Sequence, residues 1–184
     1  MMKEIWKLIQ SDYQRYTNAR GGIAMVMNAL FAWNHCFAYS FWLRLANTNI
    51  FLIRLTAKIM HRRLSRKYGI QISPKMKLGY GFYIGHGVSI VINSGTIIGN
   101  NCNISQNLTI GTNHETPAII GDNVYIGPGV CIVENVIIGN NATIGAGSVV
   151  VNDVPANATV AGVPAKVLNY NNPGRYILNR YFFE

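Results

Sequence analysis

Charge is scarce in this 184-residue chain: Asp, Glu, Lys and Arg make up 12 % of it, about half the share usual in soluble domains. Acid is scarcer still, with 7 Asp and Glu against 16 Lys and Arg, a net charge of +9. Hydrophobic residues reach 49 %, which excludes a disordered chain because that much apolar side chain can bury a core. Cysteine is short as well. Three thiols, an odd number, exclude a disulfide-built scaffold and suit a reducing compartment, so a cytoplasmic protein is expected. The first residues lack an early apolar run and a small-residue cleavage site, so no secretory signal is expected. P-loop, dinucleotide fingerprint and metal-spaced His/Cys sets are all missing, so no metal is expected.

The length suits one domain with an appendage. Residues 1–70 hold 11 Lys and Arg against 2 Asp and Glu, whereas 71–184 hold 5 of each. Glycine divides the other way, 3 before residue 71 and 15 after. The first part reads as helical: residues 3–20, a break at Gly21-Gly22, a helix-favouring stretch from Ala24 to Leu45, a turn at Asn47-Thr48-Asn49, then Ile50 to Tyr68. This last stretch sets Phe51, Ile53, Leu55, Ile59 and Leu64 among Arg54, Lys58, Arg62, Arg63, Arg66 and Lys67, an amphipathic basic helix. It is expected to face something anionic, either a membrane surface, giving peripheral membrane contact, or the phosphates of a bound ligand. Nucleic acid is not expected, since the segment lacks glycine-rich and aromatic-stacking signatures. Residues 21–43 carry no Asp, Glu, Lys or Arg and are long enough to span a bilayer. Asn28, Asn34, His35 and Ser40 would then lie at membrane depth, where unpaired polar groups are costly. A helix buried in an oligomer explains the run as well.

The second part is a repeat of six. Ile72, Leu78, Ile84 and Ile90 are followed, after two extra residues, by Ile98, Ile104 and Ile110. After four more come Ile120, Ile126, Ile132, Ile138, Ile144 and Val150. Glycine follows eight of these 13 aliphatic positions. A period of six fits neither a helix nor an unbroken strand; it means short straight segments with a turn after each. Ile packs well on a pleated surface, and Gly with Asn100, Asn101, Asn107, Asn123, Asn140 and Asn141 tolerates left-handed turns. Three hexads make one triangular coil, so the frame predicts just over four coils, about 20 Å tall at roughly 4.8 Å per coil. The extra residues, placed at Ile92 to Thr96 and Asn113 to Pro117, are expected to leave the prism, where solenoids carry function.

The segments Ile98-Gly99-Asn100-Asn101-Cys102-Asn103-Ile104, Ile120 to Gly129, Ile144 to Val150 and Ala161-Gly162-Val163-Pro164-Ala165-Lys166 resemble the hexapeptide-repeat acyltransferases. Within them, the closest resemblance is to the serine acetyltransferases and their relatives in surface-polysaccharide synthesis. The resemblance covers about residues 70–168, and more weakly Phe41 to Ala46. It implies a left-handed parallel β-helix over 71–168; with the basic helical segment over 1–70 and a C-terminal tail over 169–184, the expected fold is mainly β with N-terminal α structure. It also implies a homotrimer, acetyl-CoA as donor and a hydroxyl acceptor, either serine or a sugar hydroxyl.

An alcohol must lose its proton as it attacks a thioester, and a histidine can take that proton and return it to the leaving thiolate. Of four histidines, His35 and His61 read as structural. His86 stands bare between Gly85 and Gly87, and His114 opens the longer excursion. By resemblance His86 matches the catalytic base found in the Asp-His-(Gly/Ala)-Thr-Gly segment of serine acetyltransferases. His114 lies near their Arg-His-Pro loop, and stands either as base or as acceptor-binding residue. Three positions depart from that pattern: Gln71 and Gly85 stand where aspartates orient the base, and Asn113-His114 replaces the Arg-His pair. These are the candidate acceptor-binding positions. A zwitterionic amino acid needs charged partners at both ends, so a sugar hydroxyl fits the altered positions better than serine. Glu115 or Glu134 is the candidate to orient His86 instead. Gly127, Pro128 and Gly129 with Gly145, Ala146 and Gly147 are expected to line the pantetheine arm, and Lys166 to meet a nucleotide phosphate. The competing reading is a non-catalytic β-helix scaffold whose N-terminal segment binds a membrane or partner. The aromatic tail from Asn169 is expected to pack on the prism end or the N-terminal helices, covering the open edge of the last coil.

Overall fold

The computed structural model describes residues 2–19, 21–114 and 116–183. Four helices come first: α1 (Met2–Thr17), α2 (Ile23–Phe31), α3 (His35–Leu45) and α4 (Phe51–Tyr68). The uncharged run at 21–43 is therefore two helices. The chain turns left-handed at Ala32 (φ 50°), and the Asn34 side chain accepts hydrogen bonds from the Cys36 and Phe37 amides to start α3. No helix among the described residues is long and apolar enough to cross a membrane. Nor does α3 need an oligomer to bury it. It is enclosed from Cys36 to Leu45 within the protomer, packed on the other three helices.

From Ile70 the chain coils into a three-faced parallel solenoid. The first face stacks Ile70–Gln71, Ile90–Ile92, Thr109–Ile110, Cys131–Ile132 and Val149–Val150. The second stacks Lys77–Leu78, Ile97–Ile98, Ile119–Ile120 and Ile137–Ile138. The third runs from Tyr83–Gly85 through Asn103–Ser105, Tyr125–Ile126 and Thr143–Ile144 to Thr159–Gly162, where Ala165–Asn169 adds an antiparallel strand. The predicted inward positions are buried, except Leu78, which is partly buried against the core. Asn101, Asn123, Asn141 and Asn157 form a left-handed column at the corner between second and third faces, with φ between 52° and 66°. Asn100 and Asn140 instead accept hydrogen bonds from the Tyr80 and Asp122 amides.

The strand register moves one of the two insertions. Ile70 pairs with Ile90, but Ile110 pairs with Ile92. The inward column of the first face is thus Ile72, Ile92, Ile110, Ile132 and Val150, and the two extra residues lie between Ile84 and Ile92, not at Ile92 to Thr96. Ile90 and Ile92 are both aliphatic and both buried, so spacing alone offered two frames. The four-residue insertion stays where expected, in the turn from Gly111 to Ala118.

The helices cap the first coil, whose lower edge has no strand beneath it. Side chains supply the missing ladder. Tyr39 Oη accepts from the Ile72 amide and lies 3.3 Å from the Ile70 carbonyl. Arg44 donates to the Leu78 and Gly79 carbonyls. Ser11 and Asp12 accept from the amides of Gly81 and Phe82. Tyr16 Oη accepts from the Ile84 amide at 2.8 Å and donates to the Ile84 carbonyl at 3.2 Å. The cap is held by a buried pair, Arg44 Nε to Asp12 Oδ2 at 2.9 Å, with Ser40 Oγ on the same carboxylate oxygen. Arg15 reaches the Gly81 carbonyl, Asn103 Oδ1 and the tail carbonyl of Leu178. Burial pulls its pKa down to about 10, which leaves it charged at neutral pH. Solenoids need such polar-faced caps.

The tail reaches the N-terminal helices, where α1 meets it through Arg15 and Lys7, but it does not close the last coil. The antiparallel strand Ala165–Asn169 does that, and the tail runs back along the corner between second and third faces. It bonds Asn141, Asn103 and Asn101 in turn and ends with Tyr181 and Phe183 against Tyr80. One of the three corners is thereby covered.

Candidate active site

The two open corners carry the two surface histidines. His86 sits at the corner between third and first faces, at the end of Tyr83–Gly85 and inside the two-residue insertion. The ordinary left-handed residues of this corner are Gly69, Ser89, Asn107, Gly129 and Gly147. His86 adds a second left-handed residue to its own turn, at φ 53°. That conformation is uncommon for a side chain with a Cβ and costs on the order of 1 kcal/mol or more. The turn is held from below. Cys36 Sγ accepts from the Gly87 amide at 3.1 Å, and Tyr16 holds both polar groups of Ile84. Gly87 is tightly enclosed: a Cβ would stand 3.1 Å from Cys36 Sγ, Ile70 Cδ1 and Ile84 Cγ2, which would have to give way. Burial raises the Cys36 thiol and, by more, the Tyr16 phenol, so both stay neutral supports. The His86 side chain itself is exposed.

Above His86 the same corner climbs through Ser105–Asn107, Gly127–Gly129 and Gly145–Gly147. The steps are joined by Asn107 N to Val88 O, Gly129 N to Gln106 O and Gly147 N to Pro128 O. Gly85 is in register with Ser105. Gly129, Ala146 and Gly147 are exposed, Pro128 and Gly145 half-buried, and Gly127 buried, where its missing Cβ would meet Ala146 N at 2.9 Å. The result is an edge about 14 Å long from His86 to Gly147, three coil steps of roughly 4.8 Å, with Ser105, Gln106 and Asn107 on its first step and only glycine, proline and alanine on the two beyond. Lys166 is exposed on the antiparallel strand that closes the third face, at the end of the prism away from His86. The structure thus brings His86, Gly85, the two glycine turns and Lys166 onto one side of the prism. Spacing had missed Ser105, Gln106 and Asn107, which fill the gap between His86 and Gly127; a frame of twenty residues counted from Gly85 would have found them.

His114 and Asn113 lie elsewhere, at the corner between first and second faces and one coil up. The width of the first face separates them from His86, roughly 20 Å for six extended residues. Their loop is organised by Glu134. One carboxylate oxygen accepts from Thr112 Oγ1 at 2.6 Å, from the His114 amide at 3.0 Å and from the Asn113 amide. Glu134 is therefore committed to the His114 loop and does not orient His86 within the protomer. Glu115, the other carboxylate considered for that task, lies outside the described residues. Gln71 is exposed on the lowest strand of the first face, in register with Val91.

Residues 117–152 match the bacterial transferase hexapeptide family of six repeats. A serine acetyltransferase of Bacillus pumilus is 35 % identical over 145 residues, 76 % of this chain and 63 % of its own length. A mitochondrial serine acetyltransferase of Arabidopsis thaliana is 39 % identical over 62 % of this chain and 30 % of its own length. The chain spans between about a third and two thirds of such curated relatives. Among solved structures, the serine acetyltransferase of Neisseria gonorrhoeae in complex with serine superposes with a TM-score of 0.71. It is 32 % identical over 91 % of this chain and 70 % of that one. A serine acetyltransferase in complex with CoA gives a TM-score of 0.65 at 27 % identity, over 90 % and 68 % of the two chains.

Proposed function

This chain belongs to the hexapeptide-repeat acyltransferases and is serine acetyltransferase-like, and on that premise we propose that it transfers an acetyl group from acetyl-CoA to a hydroxyl. His86 is the general base. It accepts the hydroxyl proton as the alcohol oxygen forms its bond to the thioester carbonyl carbon. The tetrahedral adduct collapses with rupture of the carbon–sulfur bond, and His86 returns the proton to the leaving CoA thiolate. The observation that carries this reading is the inserted left-handed turn that presents His86 at the head of an edge that leads to two glycine turns. The acetylated arm lies along that edge past Gly127–Gly129 and Gly145–Gly147, and Lys166 meets a phosphate at its far end. The division of labour follows: 71–168 does the chemistry, while 1–70 caps the prism and 169–184 straps it.

His86 and His114 meet only if the open corner of one copy faces the other open corner of a second copy. A homotrimer about a threefold axis does this three times, and each Glu134-anchored loop then closes a neighbour's site. In that arrangement His114 and Asn113 bind the acceptor.

Relatives named for serine make serine the first acceptor to test. A sugar hydroxyl is favoured by one observation: Gln71, Gly85 and Asn113 put neutral groups where a free amino acid needs charges. An acceptor screen with acetyl-CoA, reading released thiol, tests both. Turnover with serine selects the first reading, turnover with a sugar the second. Absence of acetyl-CoA binding by calorimetry leaves the scaffold reading.

A further inference from the structure

The helical cap leaves one face without a partner in the protomer. α4 buries Ala57, His61 and Leu64. On its opposite side, at about 100° per residue, lie Phe51, Leu52, Leu55 and Ile59, between 47 % and 71 % exposed. They are followed on the same side by Arg62, Arg63 and Arg66, all exposed, with Lys67 beside them. The outer stripe is thus two apolar turns leading into two basic ones. Leu52, Ile53 and Thr56 join Trp42 around a shallow hollow beside it. Phe31 and Trp33, stacked at 5.8 Å and both exposed, end α2, which also packs on α3.

The charge around this face has one sign. α4 carries six Lys and Arg and no acid, and no Asp or Glu occurs between Asp12 and Glu115. Asp12 is consumed in the core by Arg44 and Ser40. A second copy laid on this face would set its four cations, Arg62, Arg63, Arg66 and Lys67, against the same four, and like charges facing each other are costly. A surface with apolar depth and fixed negative charge is complementary to both halves of the stripe. Such a combination of apolar side chains and a polybasic patch supplies the two signals that surface anchoring needs.

We propose that the outer face of α4 docks the protein onto an anionic lipid bilayer, with Phe51, Leu52, Leu55 and Ile59 entering the acyl boundary and Arg62, Arg63, Arg66 and Lys67 on lipid phosphates. This does not rest on the acetyl-transfer reading, and its test contains no acetyl-CoA. The chain is sedimented with phosphatidylcholine vesicles, with and without phosphatidylglycerol. It pellets with the anionic vesicles, stays in solution with the neutral ones and is released by high salt. Replacing Arg62, Arg63, Arg66 and Lys67 together by Gln lowers partition by roughly fivefold for each charge removed. The triple variant L52S, L55S and I59S also lowers it; both variants keep the wild-type circular dichroism and melting temperature, because these side chains face outward. No pelleting with anionic vesicles overturns the proposal, as does equal pelleting with neutral ones. Self-association of the wild type without vesicle binding, abolished by the L52S triple variant, would make the face an interface between copies and overturns it too.

Discussion

Tyr16→Phe removes one oxygen and tests how the cap positions the His86 turn. The phenol holds the amide and carbonyl of Ile84, two residues before His86, on the edge of the coil where no strand lies below. Ile84 is 1 % exposed, so water cannot replace the lost partner. Leaving a buried amide and carbonyl unpaired costs about 1–3 kcal/mol each. The ring stays, with its contacts to Phe37 and Tyr83 at 5.9 and 4.5 Å, so no cavity forms. Allowing for relaxation, the loss is about 2–4 kcal/mol, and for a chain of this size a melting temperature lower by roughly 5–15 °C. Scanning calorimetry measures the shift. The same variant lowers kcat more than it raises KM, because the turn that presents His86 loosens while the edge above it is untouched. A melting temperature within about 1 °C of wild type, with kcat unchanged, would refute the idea that α1 stands in for a missing coil.

Other perturbations follow the same logic. Asp12→Ala strands Arg44 in the core and costs about 3–5 kcal/mol by chemical denaturation, whereas Asp12→Asn, which keeps acceptor capacity, costs less. His61 is buried beside Tyr39 at 2.9 Å, and burial lowers its pKa to about 4. The unfolded chain binds that proton near pH 6.5, so stability is whole above this pH and falls by up to about 3 kcal/mol as pH drops from 6.5 toward 4; His61→Gln flattens the profile. Ala146→Trp fills the exposed glycine edge without touching the core, so KM for acetyl-CoA rises about tenfold or more, a loss near 1.4 kcal/mol, while the melting temperature holds.

The prism was legible because a single requirement, an aliphatic residue facing inward every sixth position, repeats through the chain. The legible part fails where two residues satisfy that requirement equally. Ile90 and Ile92 are both buried, and only the pairing of Ile92 with Ile110 decides between them. That choice moved the insertion onto His86, which makes the histidine a built feature of the corner. Helices were legible from composition, but the break at Ala32–Asn34 carries neither Gly nor Pro and is set by the Asn34 side chain. The hydrogen bonds of the cap and the Glu134 anchor of the His114 loop were not legible. Tyr16 meets Ile84 across 68 residues, and Glu134 meets His114 across 20. Neither leaves a local pattern.

The central claim is that His86 takes the proton of the acceptor hydroxyl. Its most direct test is thiol release from acetyl-CoA by His86→Ala, with the best acceptor found in the screen and with folding checked by melting temperature. Loss of general-base catalysis predicts a rate about 10²–10⁴ lower with the melting temperature retained. Full activity in His86→Ala would contradict the account and move the base to His114.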